Sequence, residues 1–351
     1  MRRQEMNAVL MGIQSPSHDW ESRAKHRVDQ LIKPVGSMGK LEDYYVQLCA
    51  IGQTLAPTLE KRAIIVFSGD HGVIDEGVAV CPQDVTLKQT LNFVRGYTGV
   101  CALAKQARAT LIPVDVGVNA EIAMPGIMPR KIAFGTKNLR IEHAMTKAQA
   151  VQAIEVGIEM AQMAFDQGFQ ILGTGEMGIC NTTPSAAILA VLGGVPAERV
   201  TGMGANLEDE KVLHKIRVVQ DAIDRHKPNP EDPLDVLAKV GGFEIGAMCG
   251  AFIGAASVGL PIVVDGFIAT VAALLAVRLN PKVKAYLIPS HRSKEKGAAF
   301  ASELLGLEPP LSMDMRLGEG TGAALMFNIL EAACFMGIEM ITFEEAGIGV
   351  V

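Results

Sequence analysis

The chain has 351 residues, 49% hydrophobic and 20% charged, with 36 glycines and a formal net charge of −6. This composition describes a compact globular protein with a large core, in one big domain or two of ordinary size, and excludes a disordered chain. An acidic protein with 5% aromatic residues lacks the clustered Lys/Arg and stacking rings that nucleic acid binding demands.

In chain order, the opening MRRQEMNAVLMGIQ is too polar for the apolar region of a signal peptide. The stretch from Ser22 to Leu55 predicts two helices separated by Pro34-Val35-Gly36-Ser37. Short apolar, β-branched runs then recur and end in glycine or an acid: RAIIVFSGDHG, ATLIPVDVGV, FQILGTGEMG, RVTGMGAN, LPIVVDGF and KAYLIPSH. Helical spacing separates several of them, as from Thr146 to Gln167. Strands alternating with helices predict an α/β fold with a mostly parallel sheet covered on both faces. In such sheets ligands bind beyond the carboxyl ends of the strands, where these glycines and acids fall.

The stretch Ile245 to Val277 carries a single charge, Asp265. Gly259, Pro261 and Gly266 break it into helix, strand and helix, so a buried core segment is expected rather than a membrane span. Arg225 to Asp235, rich in proline and charge, reads as a loop, and the last 50 residues as helical, notably Gly322 to Met336. Helices at both ends predict a small helical subdomain (1–60 plus 301–351) beside a large α/β domain (61–300), with the Glu319 turn at their junction. Six scattered cysteines without a C-x-x-C pair read as reduced thiols in a cytoplasmic protein.

Four motifs carry candidate chemistry. Gly173-Thr174-Gly175-Glu176-Met177-Gly178 has dinucleotide-loop spacing. However, Glu176 would repel a pyrophosphate, Glu198 about 20 residues on sits in a loop, and the next helix starts late at Asn181-Thr182-Thr183-Pro184. A second turn, Arg316 to Leu325, holds Glu319 among Gly318, Gly320 and Gly322; this acid is either a general base of raised proton affinity or the cap of the following helix. Gly202-Met203-Gly204-Ala205-Asn206, with Lys211 and Lys215 on the helix behind, is either a phosphate clamp or a solvated surface. Asp70-His71-Gly72 is metal-like in composition, but the other histidines show no ligand spacing, so no metal is expected. Ser290, His291 and Ser293 offer an anion-binding loop. Neither a G-x-S-x-G elbow nor a G-x-x-x-x-G-K-[ST] loop occurs.

KPVGSMGKLE, DHGVIDEGVAVCP, RGYTGVCALA, GTGEMGICNTTPSAA, GMGANL, VGGFEIGAMCG, DGFIATVAALLA, IPSHRSKEKGA and MRLGEGTGAAL together resemble the nicotinate-nucleotide:dimethylbenzimidazole phosphoribosyltransferase family, in the same order from about Lys33 to about Ala333. The resemblance implies a Rossmann-like sheet, a homodimer and transfer of a 5-phosphoribosyl group from nicotinate mononucleotide to a benzimidazole-type base, in cobalamin nucleotide loop assembly. It implies Glu319 as the base and Glu176 as the second acid at the reacting centre. Gly175, Gly178, Gly202, Gly204, Asn206, Lys215, Gly266, Ser290, Gly318 and Gly320 would bind substrate, and Cys81, Gln89, Met177 and Leu317 would line the base pocket. Two departures stand out: Cys81 replaces a common serine before proline, and Met177 a common leucine, giving a softer pocket. No PRPP-binding signature occurs, so no Mg²⁺ and no cofactor are expected. Two other readings remain at this point: another acceptor base (purine, phenol or substituted benzimidazole), or a non-catalytic nucleotide sensor.

Overall fold

The computed structural model describes residues 3–204 and 207–349. Strands β1 (Arg62–Gly69), β2 (Ala109–Gly117), β3 (Met128–Pro129), β4 (Ile171–Met177), β5 (Ile262–Val264) and β6 (Leu287–Pro289) form one parallel sheet in the order β3-β2-β1-β4-β5-β6. The α/β architecture is the one the alternating sequence predicts. β1 is buried along its whole length, as expected of a strand covered on both faces.

Helices α1 (Arg3–Gly12), α2 (His18–Gln30) and α3 (Lys40–Gly52) precede β1. Helices α4 (Asp84–Arg95) and α5 (Gly99–Gln106) join β1 to β2, and α6 (Lys147–Asp166) leads into β4. Then follow α7 (Thr182–Gly193), α8 (Ala197–Val200), α9 (Asp209–His226), α10 (Pro233–Val240) and α11 (Phe243–Ser257). After β5 come α12 (Phe267–Leu279), α13 (Ala298–Leu305) and α14 (Thr321–Glu339). Local chemistry sets several starts: Thr146 and Gln149 make a reciprocal capping box on α6, and Asp232 caps α10 with Pro233 in its first turn.

Strand residues alternate between two cores, following the period-two geometry of a pleated sheet. Ile64, Val66, Ile171, Val263 and Ile288 face a layer that includes Tyr45 and Leu48 of α3, Val100 of α5 and Phe327 of α14. Ala63, Ile65, Phe67, Leu172 and Ile262 face α6, α7, α11 and α12. The chain ends meet on the first side: Ile32 N–H donates to the Ile341 carbonyl at 3.0 Å and Phe343 N–H to that of Gln30 at 2.9 Å. Helices α1 and α13, also from the terminal segments, lie elsewhere, α1 against α11 and α13 against α12.

Three local expectations change. RVTGMGAN is not a strand: Ala197–Val200 closes one helical turn after Pro196 and Thr201–Met203 is irregular. Its β-branched run, Val200-Thr201, is too short for a ladder, and β5 takes the place beside β4. Glu198 accordingly lies on α8 rather than in a loop. The two-residue edge strand β3 gave no sequence signal, and its proline suits an edge. Among the described residues only α14 is long and apolar enough to cross a bilayer, and 61% of its apolar window is buried inside this fold.

Helices α6 and α11 cross on glycine. A Cβ on Gly157 would strike the Ala247 carbonyl, and one on Gly250 the Ile154 carbonyl. Gly157→Ala is therefore expected to lower stability by about 1–3 kcal/mol in urea unfolding. Gly12→Ala, at a helix end with open space around it, is expected to change it by less than about 0.5 kcal/mol.

Candidate active site

From β1 the chain builds the sheet outward through β2 to β3, then returns with β4 on the other side of β1. At that reversal the loops beyond the strand ends diverge and leave a crevice. A cleft of about 340 Å³ opens there. Its floor comes from the ends of β4 and β5, Glu176 to Gly178 and Asp265 to Phe267; Cys81 and Gln89 form one wall, and Gly204 and Lys215 lie towards another. The turn Arg316–Glu319 closes over it.

That turn has an unusual backbone. Gly318, Glu319 and Gly320 have φ of 85°, 62° and 94° in succession. A β-carbon disfavours this left-handed region, so Glu319 needs external support there. Asp265 supplies it, because its carboxylate accepts the Gly320 N–H at 3.0 Å and the Gly322 N–H at 2.7 Å. It thereby caps α14, and Glu319 does not. Gly175 lies directly behind, with no room for a Cβ against the Glu319 carbonyl.

Freed from capping its own helix, the Glu319 carboxylate turns to the cleft. Gln89 Nε2 donates to its Oε1 at 2.6 Å, and the Val100 N–H, in the first turn of α5, donates to its Oε2 at 3.4 Å. The residue is 4% exposed. Burial raises its proton affinity above the ordinary value, with Asp265 adding, while the Gln89 and Val100 donors oppose the rise.

Glu176 has a harsher setting. Asn181 Nδ2 donates to its Oε2, but burial first, then the Glu244, Asp265 and Glu319 carboxylates, push its pKa up to about 8. Lys215 is 2% exposed and donates to Thr182 Oγ1 at 2.7 Å. Burial lowers it to about 8, with Glu295 opposing. Lys211, by contrast, is a surface side chain 3.8 Å from Glu208. His71 Nε2 lies 2.9 Å from Glu244 Oε1. Among the described residues, no group of His, Cys, Asp and Glu could hold a metal ion.

Comparison with known proteins bears on this geometry. A family profile described as a phosphoribosyltransferase matches residues 13–348. A nicotinate-nucleotide–dimethylbenzimidazole phosphoribosyltransferase of Alkaliphilus metalliredigens is 51% identical over 98% of this chain and 99% of its own. One of the same name from Clostridium perfringens is 46% identical over 98% and 95%. The crystal structure of the enzyme so named from Thermus thermophilus superposes with a TM-score of 0.90 at 40% identity, covering 95% of this chain and 99% of that one. The chain belongs to the nicotinate-nucleotide:dimethylbenzimidazole phosphoribosyltransferase family.

In this family member the cleft gathers most of the predicted side chains. Cys81, Gln89, Glu176, Met177, Gly178, Gly204, Lys215, Gly266, Leu317, Gly318 and Glu319 all border it. Four others stand behind the wall. Gly175 and Gly320 permit the close approach of β4 to the Glu319 turn, and Gly202 packs against Glu295 and Lys296. Ser290 is fully buried, donating to the Asp265 carbonyl at 2.8 Å. Asn206 lies outside the described residues. Sequence reasoning missed Asp265 as the clamp, although it is the one charge in a 33-residue apolar stretch (Ile245–Val277). It also missed Asn181 and the grip of Gln89 on Glu319.

The two shifted groups give stability opposite pH slopes. Glu176 rises from 4.5 to about 8 on folding, so its contribution is full below about pH 4.5 and is lost as pH rises to about 8. Lys215 falls from 10.5 to about 8, so its contribution is present above about pH 10.5 and lost as pH falls to about 8. These two groups together thus make the free protein least stable near pH 8. Glu176→Gln should flatten the slope of melting temperature below pH 8, and Lys215→Met that above it. Unchanged slopes in both variants would contradict the assigned environments.

Proposed function

We propose that this protein transfers the 5-phosphoribosyl group of nicotinate mononucleotide to 5,6-dimethylbenzimidazole, giving α-ribazole 5′-phosphate and nicotinate for the nucleotide loop of cobalamin. The names of its relatives support this reading, and one observation carries it: Glu319 is a buried carboxylate aimed into the cleft, held by donors on Gln89 and Val100. The free-electron-pair nitrogen of the benzimidazole attacks the ribosyl C1′ as the bond from C1′ to the pyridinium nitrogen breaks. Those electrons quench the ring's positive charge, so the leaving base departs without a metal or acid. The proton on the other azole nitrogen goes to Glu319, which raises the nucleophile's electron density as it attacks.

Glu176 is the partner acid. Its environment favours the protonated form near neutrality, whereas two donors help Glu319 remain ionised. Both are raised by burial, Glu319 against the opposing Gln89 and Val100 donors, and carboxyls in unequal environments divide acid and base roles. Lys215, with the backbone at Gly202 and Gly204, suits the 5′-phosphate. Cys81, Gln89, Met177 and Leu317 suit the aromatic base.

We further propose a cytoplasmic homodimer: the family resemblance supports the dimer, and six free thiols support a reducing compartment. In this reading residues 1–60 and 301–351 form the small helical unit, with the Glu319 turn at its junction with the α/β body of residues 61–300.

Nicotinate release from nicotinate mononucleotide and dimethylbenzimidazole tests the reaction. Glu319→Gln is expected to lower kcat by about 100-fold or more, leaving KM for the nucleotide within a few-fold. Because Glu319 binds its proton above the ordinary range, wild-type kcat/KM should fall with decreasing pH earlier than an exposed glutamate would dictate. Near-normal turnover in the variant would remove Glu319 from the role. Competing benzimidazole, purine and phenol acceptors in one assay resolves the preferred base.

A further inference from the structure

The segment that follows β6 runs along the cleft in an extended form. Ser290 N–H donates to the Val264 carbonyl at 3.0 Å, Arg292 N–H to that of Leu311 at 2.8 Å and Lys294 N–H to that of Met315 at 3.0 Å. An extended chain turns successive side chains to opposite sides. His291, Ser293 and Glu295 accordingly border the cleft, while Arg292 and Lys294 pair with Glu308 and Asp314 at the surface. One end of the segment lies beside Gly266 and the other against Gly202. A Cβ on Gly266 would stand 3.5 Å from His291 Nε2, and one on Gly202 3.0 Å from Glu295 Oε2. His291 is buried and has no part in the mechanism above.

Its hydrogen bonds fix which ring nitrogen carries a proton. Ser290 Oγ has one hydrogen, and it goes to the Asp265 carbonyl at 2.8 Å, which can only accept. Oγ must therefore accept from His291 Nδ1, 3.0 Å away. The Asp265 carboxylate, 3.9 Å from Nδ1, is too far to compete for that proton. The start of α14 holds the ring in this orientation, since a Cβ on Gly322 would strike Nδ1. With Nδ1 protonated, the neutral ring carries its lone pair on Nε2. Among the described residues nothing bonds that nitrogen.

We propose that His291 Nε2 accepts a hydrogen bond from a ribose hydroxyl of the nucleotide, and so selects a ribosyl over a deoxyribosyl donor. This rests on the reading of the ligand as a ribosyl 5′-phosphate. On nicotinate mononucleotide the carboxylate and the dianionic phosphate only accept hydrogen bonds. The two ribose hydroxyls are the donors that a bare nitrogen can take. Position agrees with this chemistry. A nucleotide with C1′ near the acids and its phosphate near Gly202 runs along this segment, with the ribose at its His291 end.

The test measures binding of nicotinate mononucleotide and of its 2′-deoxy and 3′-deoxy analogues by calorimetry, without acceptor base, to wild-type protein and His291→Asn. Asparagine keeps a donor near the Nδ1 position for Ser290 and removes the acceptor at Nε2. Wild type should bind one deoxy analogue about tenfold more weakly than the parent. The variant should lose about tenfold on the parent and nothing further on that analogue, the non-additivity that marks a direct contact. The analogue affected identifies the hydroxyl. An equal loss on all three ligands would overturn the proposal and leave His291 a brace for the start of α14; equal wild-type affinity for all three would overturn it as well. If His291→Asn fails to fold, wild-type protein labelled with 15N-histidine serves, with the ring assigned through its own backbone. Its Nε2 should resonate as an unprotonated nitrogen and move when the parent binds but not when the affected analogue does. A protonated Nε2, or no movement with the parent, overturns the proposal. Turnover is not measured, so a wild type that binds the nucleotide without releasing nicotinate would sink the reaction and leave this contact standing. Absence of any nucleotide binding would overturn both.

Discussion

The Asp265 carboxylate accepts the N–H groups of Gly320 and Gly322, and the placement of the Glu319 turn over the cleft depends on those two bonds. They fasten the end of β5 to the start of α14. They also satisfy two of the N–H groups that any helix leaves unpaired at its beginning, with a charge that suits the positive end of the helix dipole. The result is that Glu319, two residues before α14, need not cap it. Glu319 can then sit at φ 62°, a conformation costing about 1 kcal/mol for a residue with a β-carbon. Its carboxylate points across the cleft to Gln89 instead of down onto its own helix.

The glycines in and just after β4 serve the same end. Gly173 meets Ala323 of α14, Gly175 meets the Glu319 backbone, and Gly178 meets the Gly69 carbonyl beside His71. In a dinucleotide loop glycines let a backbone approach a phosphate. Here they let one part of the protein approach another, and the ligand space opens on the far side of the carboxylates. The shared spacing reflects a shared steric need, the absence of a β-carbon, with a different object brought close.

Much of this was legible in the sequence, for physical reasons. β1, β2 and β4 to β6 announce themselves as apolar runs because a parallel sheet buries both faces. α6 is marked by its 3.6-residue spacing and its Thr146 cap. Glu176 and Glu319 were conspicuous because an acid between glycines is hard to explain as packing. What escaped is relational. The short edge strand β3 has too few residues to form a pattern. Asp265 could be seen as a lone charge, but which N–H groups it meets is set by a chain segment 55 residues away. The same applies to Ser290, which the loop chemistry placed at the ligand and the fold places behind Asp265. Gln89 looked like pocket lining, and only the fold brings it within 2.6 Å of a carboxylate 230 residues on.

Charge is separated along the cleft, and this separation bears on how the proposed donor would seat. Glu176, Asp265 and Glu319 converge at one end, and burial sets them against one another, so Glu176 holds a proton it would release in water. At the other end Lys215 is almost as reluctant to keep its charge, since burial is only partly offset by Glu295. A nucleotide with a positive pyridinium nitrogen on its ribosyl carbon and a phosphate at the other end answers both tensions. The pyridinium lowers the repulsion among the acids, and the phosphate restores the charge on the lysine. The reverse orientation would set phosphate against the Asp265 and Glu319 carboxylates in a site of low dielectric, where like charges repel far more strongly than in water. Orientation is thus imposed by the field before any base-specific contact forms. In the proposed reaction the acceptor needs no charge, and Met177 and Leu317 offer it apolar lining, while Gln89 is engaged by Glu319.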